Sequence, residues 1–297
     1  MSPARSQKAM GAQSATLVIV FSAVCFGLAP WFAKGLSEAG LASSAIAFFR
    51  FLTSALILLI FLRFSHEKRK ATFWAIGSGI AVGLGWIGYV EALKAAPVST
   101  VGVIYMTYPL FTLLIAWLWL KQQLTLRAVS AGMLILAAAF IALSPAALAP
   151  KTLWAALACL TAPLSFGFAI CVLASRLRRL SALERAAGFS LGAVLGLLPL
   201  ILSLEPGAVI PREAGQWMLI LGISVVTALL PNLLFAAAAP LVGAGRTSMA
   251  GSMELPTMFA IGWLAFNEPI GLSQVLAGAL VIAAIVLAPV VSPDDWH

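Results

Sequence analysis

The sequence predicts an all-α polytopic membrane protein with ten transmembrane helices, arranged as two inverted five-helix repeats. The prediction rests on the composition, the spacing of the apolar runs and an internal similarity. Of 297 residues, 62% are hydrophobic and 9% are charged, and the mean hydropathy is +1.05. A soluble domain carries roughly a quarter charged residues, because its surface faces water. Most of the surface of this chain must therefore face lipid.

The chain contains ten apolar runs, each close to the roughly twenty residues that a helix needs to cross a bilayer. Short segments with turn-forming or charged residues separate them. The first run is longer than the apolar part of an ordinary signal peptide, so it is expected to remain as the first helix. The predicted helices cover residues 15–34, 45–63, 73–93, 98–119, 126–145, 152–174, 184–204, 216–240, 247–266 and 272–291.

Lysine and arginine residues are distributed unevenly between the two sides of the predicted helices. With the N-terminus inside, thirteen fall on the cytoplasmic side, four fall on the opposite side and Arg50 lies within a helix. The positive-inside rule then places both termini in the cytoplasm, for a multi-pass protein of the cytoplasmic (inner) membrane. The cations form short clusters between apolar runs, so the net charge of +8 does not indicate nucleic-acid binding.

The two halves of the chain resemble each other. The similarity predicts two repeats, residues 1–147 and 148–297, and an odd number of helices per repeat turns the second copy upside down in the membrane. Inverted repeats are typical of transporters whose site lies near the bilayer midplane. At a shift of 146 residues the matches include Tyr89 with Phe235, Trp117 with Trp263, Gln122 with Glu268 and Gly132 with Gly278, and Phe26-Gly27 matches Phe166-Gly167 at a shift of 140.

Several of these segments resemble the repeat of the EamA family, within the drug/metabolite transporter superfamily. They are Ala92-Leu93, Tyr108-Pro109, Ala116-Trp117 and 120–125, with a second copy from Trp263 to Glu268 and Gly278. The resemblance covers residues 15–290 and implies ten helices, cytoplasmic termini and a central cavity for substrate. Members of the family export amino acids, aromatic ones among them, and related metabolites. The glutamate usual in the first repeat is Gln122 here, whereas the second repeat keeps Glu268.

Three ionisable residues lie within apolar runs, where each costs roughly 2.5–3.5 kcal/mol on insertion scales. Glu254 falls near the middle of its predicted helix. It is expected to bind a substrate amine or to couple transport to protons, and a structural hydrogen bond is the alternative. Arg50 and Glu91 lie toward the outer ends of their helices, where a structural role through snorkelling or an ion pair is favoured over coupling.

Aromatic and hydroxyl side chains form a second candidate set on the third and fourth helices. Tyr105, Tyr108 and Thr112 share one helical face, as do Trp86 and Tyr89. Tyrosine and tryptophan also anchor helices at the membrane interface, but Tyr105 and Tyr108 lie too deep for that role. The predicted substrate-binding residues are Glu254, Tyr105, Tyr108, Trp86, Tyr89, Asn232 and Thr112.

Prolines and glycines mark bends and close contacts. Pro109 and Pro256 lie in the middle of equivalent predicted helices, where each removes a backbone hydrogen bond. They are predicted to act as gating hinges, with static kinks as the alternative. Gly79 and Gly83 form a Gly-x-x-x-Gly step, which favours close packing of the third helix against a neighbour.

The expected function is transport rather than catalysis. The sequence contains neither a phosphate-binding Gly-rich loop ending in Lys-Ser/Thr nor a zinc-protease motif, and no cofactor or metal is expected. We expect a monomer or weak oligomer that exports amino acids, aromatic ones among them, or similar metabolites by alternating access. Its partners would be a small-molecule substrate and the lipid bilayer. Less favoured functions are transport of phosphorylated metabolites or nucleotide sugars, lipid handling and ion conduction through a channel.

Overall fold

The computed structural model describes residues 11–63, 65–123, 125–142 and 150–287, and these are helices joined by short connections. The helices of the first half are α1 (Ala12–Gly27), α2 (Ala29–Glu38), α3 (Ser43–Leu58) with a 3₁₀ turn at Leu59–Phe61, α4 (Arg69–Ala95), α5 (Val98–Tyr105), α6 (Tyr108–Leu120) and α7 (Leu126–Ala142). Those of the second half are α8 (Pro150–Cys159), α9 (Thr161–Ser175), α10 (Ala182–Leu202), α11 (Pro206–Val209), α12 (Ala214–Ser224), a π-helical turn at Val225–Leu229, α13 (Leu230–Gly251), α14 (Glu254–Phe266) and α15 (Leu272–Leu287).

These helices confirm ten membrane crossings. Among the described residues, seven helical segments are long and apolar enough to cross a membrane, and two shorter apolar helices, Leu126–Ala138 and Leu272–Leu287, accompany them. One of the seven, Ala214–Phe266, has 53 residues. At 1.5 Å per residue it would extend about 80 Å, more than twice the hydrocarbon thickness, so it crosses twice. The two crossings meet at Gly243, whose φ of +81° suits glycine.

Several predicted boundaries are corrected by the structure. The predicted helix 98–119 is interrupted between Tyr105 and Tyr108, and 152–174 is interrupted at Leu160. A loop was expected between 240 and 247, but a turn at Gly243 replaces it. Arg246, counted as a loop cation, is therefore helical, and its Nε donates to the Thr16 hydroxyl at 2.9 Å.

The inverted repeats are visible in equivalent backbone features. Lys121 and Asn267, 146 residues apart in the sequence, end α6 and α14 in the left-handed conformation, with φ of 56° and 53°. Equivalent glycines of the two repeats also make similar contacts, each with a threonine of the other repeat. Gly27 of α1 packs against Thr257 of α14, and Gly167 of α9 packs against Thr112 of α6. The repeat boundary at 147/148 lies outside the described residues and stays a prediction.

The third and seventh crossings, α4 and α10, pack closely through glycines, as the Gly79-x-x-x-Gly83 step predicted. A Cβ on Gly79 would overlap the backbone carbonyl of Phe189, and one on Gly83 would lie 2.9 Å from the Ala193 carbonyl oxygen. Conversely, a Cβ on Gly192 of α10 would overlap the backbone carbonyl of Ile76 on α4. The two backbones can therefore approach only because neither presents a side chain at these positions.

This contact predicts a stability difference between two glycines of α4. Gly79→Ala should lower the free energy of unfolding by about 1–3 kcal/mol, because the two helix backbones must separate. Gly77→Ala is the matched control, since a Cβ there meets no atom within 4 Å. Thermal unfolding of both variants in the same detergent measures the difference, and equal midpoints would contradict the packing described.

Candidate functional site

Arg50 of α3 reaches into the centre of the bundle. Its Nη2 donates to the Thr227 carbonyl at 2.7 Å, and its Nε donates to the Thr227 hydroxyl at 3.3 Å. Thr227 belongs to the π-helical turn, and the residue four positions later is Pro231, which has no N–H to donate to that carbonyl. Arg50 therefore donates to a carbonyl whose usual α-helical donor, the N–H four residues later, is missing. It is 5% exposed, so it does not snorkel to the surface.

The Arg50 guanidinium also lies over an aromatic ring. Its Cζ is 3.8 Å from the centre of the Trp86 ring, a geometry that stabilises a buried cation through the ring quadrupole. Phe51 and Phe26 lie farther away, at 5.2 and 5.8 Å. The cation is thus held between the Thr227 carbonyl and an aromatic face, without a carboxylate within 4 Å among the described residues.

Glu254 is the buried anion of the same region. It is the first residue of α14 and is 5% exposed. Its carboxylate interacts electrostatically with Arg50 and with the hydroxyls of Tyr89, Tyr105 and Tyr108. The positive end of the α14 dipole favours a negative charge at this position. The structure therefore brings Glu254 and Arg50 together as two opposed charges that are not in direct contact.

Four aromatic side chains surround these charges, and we call them the aromatic cluster: Trp86, Tyr89, Tyr105 and Tyr108. Trp86 stacks on Tyr89 with ring centres 5.0 Å apart, Tyr89 meets Tyr105 at 5.4 Å, and Tyr105 meets Tyr108 at 5.5 Å. The Tyr89 hydroxyl is buried and has no hydrogen-bond partner in the described part of the chain. Such a group is costly to bury unless a ligand or water completes it.

The cluster lies where two equivalent helices are interrupted. α5 ends at Tyr105 and α6 begins at Tyr108, while α13 ends at Gly251 and α14 begins at Glu254. Pro109 and Pro256 lie in the first turns of the second half-helices. The prediction that they remove a bond from the middle of a continuous helix is thus corrected, because the interruptions precede them. In transporters, substrate sites form at interrupted helices of this kind.

A small cavity lies between α9, α10 and α13, toward the end of the bundle predicted to be cytoplasmic. Its lining includes Ser78, Asn232, Phe166 and Phe235, and the Asn232 amide nitrogen has no hydrogen-bond partner among the described residues. The cavity volume is about 40 Å³, enough for a few water molecules and too small for a metabolite. Arg185 also lines it and bridges two elements, donating to the carbonyls of Leu177 at 3.0 Å and Ala236 at 2.7 Å.

Three phenylalanines lie between this cavity and the buried charges, and none of them was among the predicted substrate-binding residues. Phe166 contacts Tyr108 with ring centres 5.0 Å apart, Phe26 contacts Phe235 at 5.5 Å, and Phe166 contacts Phe235 at 6.1 Å. We call these three residues the phenylalanine layer. A signal for each was present, because Phe26-Gly27 and Phe166-Gly167 are equivalent in the two repeats and Phe235 is the counterpart of Tyr89.

Two predicted site residues lie away from the centre. Thr112 is buried in the contact between α6 and α9, where its hydroxyl donates to the Tyr108 carbonyl at 2.8 Å and the residue packs against Gly167. Glu91 lies near the exposed end of α4 and accepts from Lys94 at 3.1 Å. Both positions indicate structural roles.

Glu268 was noted in the sequence only as the counterpart of Gln122, and in the structure it accepts hydrogen bonds from the start of α5. Its Oε1 accepts from the Val98 N–H at 2.7 Å, and its Oε2 accepts from the Ser99 N–H at 3.1 Å and the Ser99 hydroxyl at 2.7 Å. A carboxylate at a helix N-terminus satisfies donors that have no partner in the helix and interacts favourably with the dipole. The second repeat therefore holds the half-helix that carries Tyr105.

This contact predicts that Glu268→Ala lowers the free energy of unfolding by about 1–3 kcal/mol, because two backbone donors of α5 lose their acceptor. Glu205→Ala is the control, since Glu205 is an exposed carboxylate that makes no side-chain bond to the helix it precedes. Chemical denaturation in detergent measures both. Equal losses in the two variants would show that Glu268 does not hold α5.

Inverted repeats with interrupted helices around a buried charged centre define the class, a membrane transporter of small molecules. The chain belongs to the EamA-like transporter family, whose model matches residues 13–144 and 153–289. The family expected from the sequence, a member of the drug/metabolite transporter superfamily, is thereby confirmed.

Curated relatives match a shorter part of the chain. An "S-adenosylmethionine uptake transporter" of Rickettsia bellii (strain RML369-C) is 34% identical over 85 residues, and one of Rickettsia felis (strain ATCC VR-1525 / URRWXCal2) is 35% identical over 86 residues. Each match spans 28% of this chain and 29% of the relative. A solved structure described as "Crystal structure of protein" superposes with a TM-score of 0.72 at 15% identity, over 93% of this chain and 96% of that one, and it shows the fold alone.

Proposed function

We propose that the protein exports amino acids, aromatic ones among them, or closely related metabolites that carry both an ammonium and a carboxylate group. The proposal rests mainly on Arg50 and Glu254, two buried charges of opposite sign that do not form an ion pair within 4 Å among the described residues. Buried charges of opposite sign usually pair directly, because desolvation is costly. A zwitterion between them would present its ammonium to Glu254 and its carboxylate to Arg50.

The aromatic cluster suits the rest of such a substrate. Rings of Trp86, Tyr89, Tyr105 and Tyr108 offer apolar faces for a side chain and negative potential for an ammonium group. The Tyr89 hydroxyl, buried without a partner in the described chain, would orient the ligand by one hydrogen bond. Ligand sites commonly combine many apolar contacts with a few such polar groups.

S-adenosylmethionine is a second candidate substrate. It carries the same amino and carboxylate groups together with a sulfonium cation, and cations of that kind bind aromatic faces. The two Rickettsia relatives are named as uptake transporters of this compound. The same central site would bind both substrates. The two proposals therefore differ in the substrate and in the direction of transport but involve the same residues.

The enclosed site disfavours a phosphorylated substrate and a lipid-handling role. A phosphate-bearing substrate calls for several cations, and Arg50 is the one cation of this centre within the described ranges, with two of its nitrogens already bonded to Thr227. A lipid-handling protein would need a polar groove open to the bilayer. Glu254 is 5% exposed and Tyr108 is fully buried, so their polar atoms do not face lipid.

Alternating access would require the phenylalanine layer to open. The cavity of about 40 Å³ below it cannot hold an amino acid, so the conformation described is closed around the centre. Separation of Phe166 from Phe235, with release of Arg185 from the Ala236 carbonyl, would join that cavity to the aromatic cluster. The interrupted α5–α6 and α13–α14 helices supply flexible points next to the same residues.

The proposal predicts a substrate requirement that proteoliposome counterflow can measure. Purified protein should move labelled phenylalanine, tyrosine, tryptophan or S-adenosylmethionine. Competition should require both charges of the ligand, so that phenethylamine and 3-phenylpropionate compete at least tenfold less well than phenylalanine, about 1.4 kcal/mol each. Transport of none of these compounds and of no other amino acid would overturn the proposed substrate class, and equal competition by either analogue would overturn zwitterion recognition.

The proposal also predicts that transport in this assay requires the Glu254 carboxylate and does not require that of Glu91. Glu254→Gln keeps the shape and removes the charge, and it should reduce transport by about tenfold or more, through loss of a charged hydrogen bond. Glu91→Gln is the matched control, because that carboxylate pairs with Lys94 at the exposed end of α4. A Glu254→Gln variant that folds and transports like the Glu91→Gln variant would exclude Glu254 from substrate binding.

A further inference from the structure

A second polar pocket lies outside the central site, at the end of the bundle predicted to be cytoplasmic. The start of α4 and the segment after α9 form it. Its lining comprises Glu67, Lys70, Ala71, Trp74, Ser175, Arg176, Arg178 and Arg179, and its volume is about 380 Å³. Four cations thus share one pocket with one carboxylate, and we call it the basic pocket. Pockets of this size accommodate small ligands.

Two tryptophans hold one of these cations in place. The Arg176 guanidinium carbon lies 5.2 Å from the ring centre of Trp119 and 6.0 Å from that of Trp74, and the two rings are 5.1 Å apart. Trp119 also stacks on Phe168 at 5.7 Å. The indole rings stabilise the guanidinium through their negative faces, and an arginine beside an aromatic ring can still donate from its N–H groups.

The charge of the pocket is not neutralised by ion pairs that involve Arg176 or Lys70. Lys68 pairs with Glu184 and Lys94 pairs with Glu91, and neither Arg176 nor Lys70 has a carboxylate within 4 Å among the described residues. Lys68, two residues before Lys70, is therefore neutralised at 2.7 Å, whereas Lys70 is not. Arg179 donates to the Glu67 carbonyl at 3.3 Å, which closes the rim of the pocket.

From this arrangement we infer that the basic pocket binds the phosphate-bearing headgroup of an anionic membrane lipid. The pocket lies at helix ends, where lipid phosphates reside, and Trp74 beside it is 38% exposed, as expected of an interfacial tryptophan. Basic pockets between transmembrane helices on the cytoplasmic side bind such headgroups. Arginine suits phosphate because its fork of N–H groups matches two phosphate oxygens.

Lipid titration of the purified full-length protein in a nonionic detergent tests the inference. Phosphatidylglycerol should raise the thermal unfolding midpoint more than phosphatidylcholine does, and higher salt should weaken the effect because exposed charges are screened. Arg176→Gln and Lys70→Gln should each require about tenfold more phosphatidylglycerol for the same shift. Arg127→Gln, an exposed cation of the same predicted side outside the pocket, should behave like the parent protein.

Three results would overturn the inference. One is an equal shift from phosphatidylglycerol and phosphatidylcholine. Another is an equal loss in Arg127→Gln and in both pocket variants, which would indicate a general effect of surface charge. The third is a shift from inorganic phosphate alone as large as that from phosphatidylglycerol, which would assign the pocket to a soluble anion. If Arg176→Gln fails to fold because its aromatic contacts are lost, Lys70→Gln carries the test alone.

Discussion

Arg50 and the Thr227 carbonyl make the contact on which the centre of this protein depends. A bilayer offers no water to satisfy an exposed carbonyl, so each backbone group freed inside the membrane needs an internal partner. Pro231 has no N–H to donate to the Thr227 carbonyl, and the Arg50 Nη2 of α3 reaches that carbonyl at 2.7 Å. The interaction brings a cation into the middle of the bundle, and Trp86 and Glu254 are arranged around that cation.

Similar compensation operates along the fourth and ninth crossings. At the two interruptions the chain itself supplies partners, since the Thr107 N–H donates to the Ile104 carbonyl at 3.1 Å and the Ser252 N–H donates to the Met249 carbonyl at 3.0 Å. At the start of the fourth crossing, Glu268 from the second repeat accepts from the Val98 and Ser99 N–H groups. The two repeats are therefore joined by polar contacts as well as by glycine packing.

Much of the fold could be predicted from the sequence, because a membrane limits the choices to helices of a known length. The ten runs, the shift of 146 residues and the Gly79–Gly83 contact all follow from that constraint. The interruption between Tyr105 and Tyr108 could not be placed, since apolar runs look continuous whether or not a helix breaks within them. Pro109 and Pro256 indicated a bend, but the bend precedes each proline because a proline fits the first turn of a helix.

Polar residues of the candidate site could be predicted because they are costly to bury in a membrane. Its apolar residues were harder to predict. Glu254, Tyr105 and Tyr108 were predicted as site residues because polar groups deep in a membrane are costly, and the structure places them close together. Arg50 was found as an ionisable residue, but its depth was misjudged from its place near a helix end. Phenylalanines are common in apolar runs, so Phe166 was not predicted to belong to the site, and Phe235 was noted only as the counterpart of Tyr89. Thr112 shared the right helical face, yet a neighbouring helix covers that part of it.

The most direct test of the central claim is an experimental structure of the protein with a transported amino acid bound. The ligand is expected inside the aromatic cluster, with its ammonium nitrogen within hydrogen-bond distance of the Glu254 carboxylate and its carboxylate facing Arg50. A ligand whose carboxylate binds Arg185 in the lower cavity, with Glu254 and Arg50 both untouched, would contradict it.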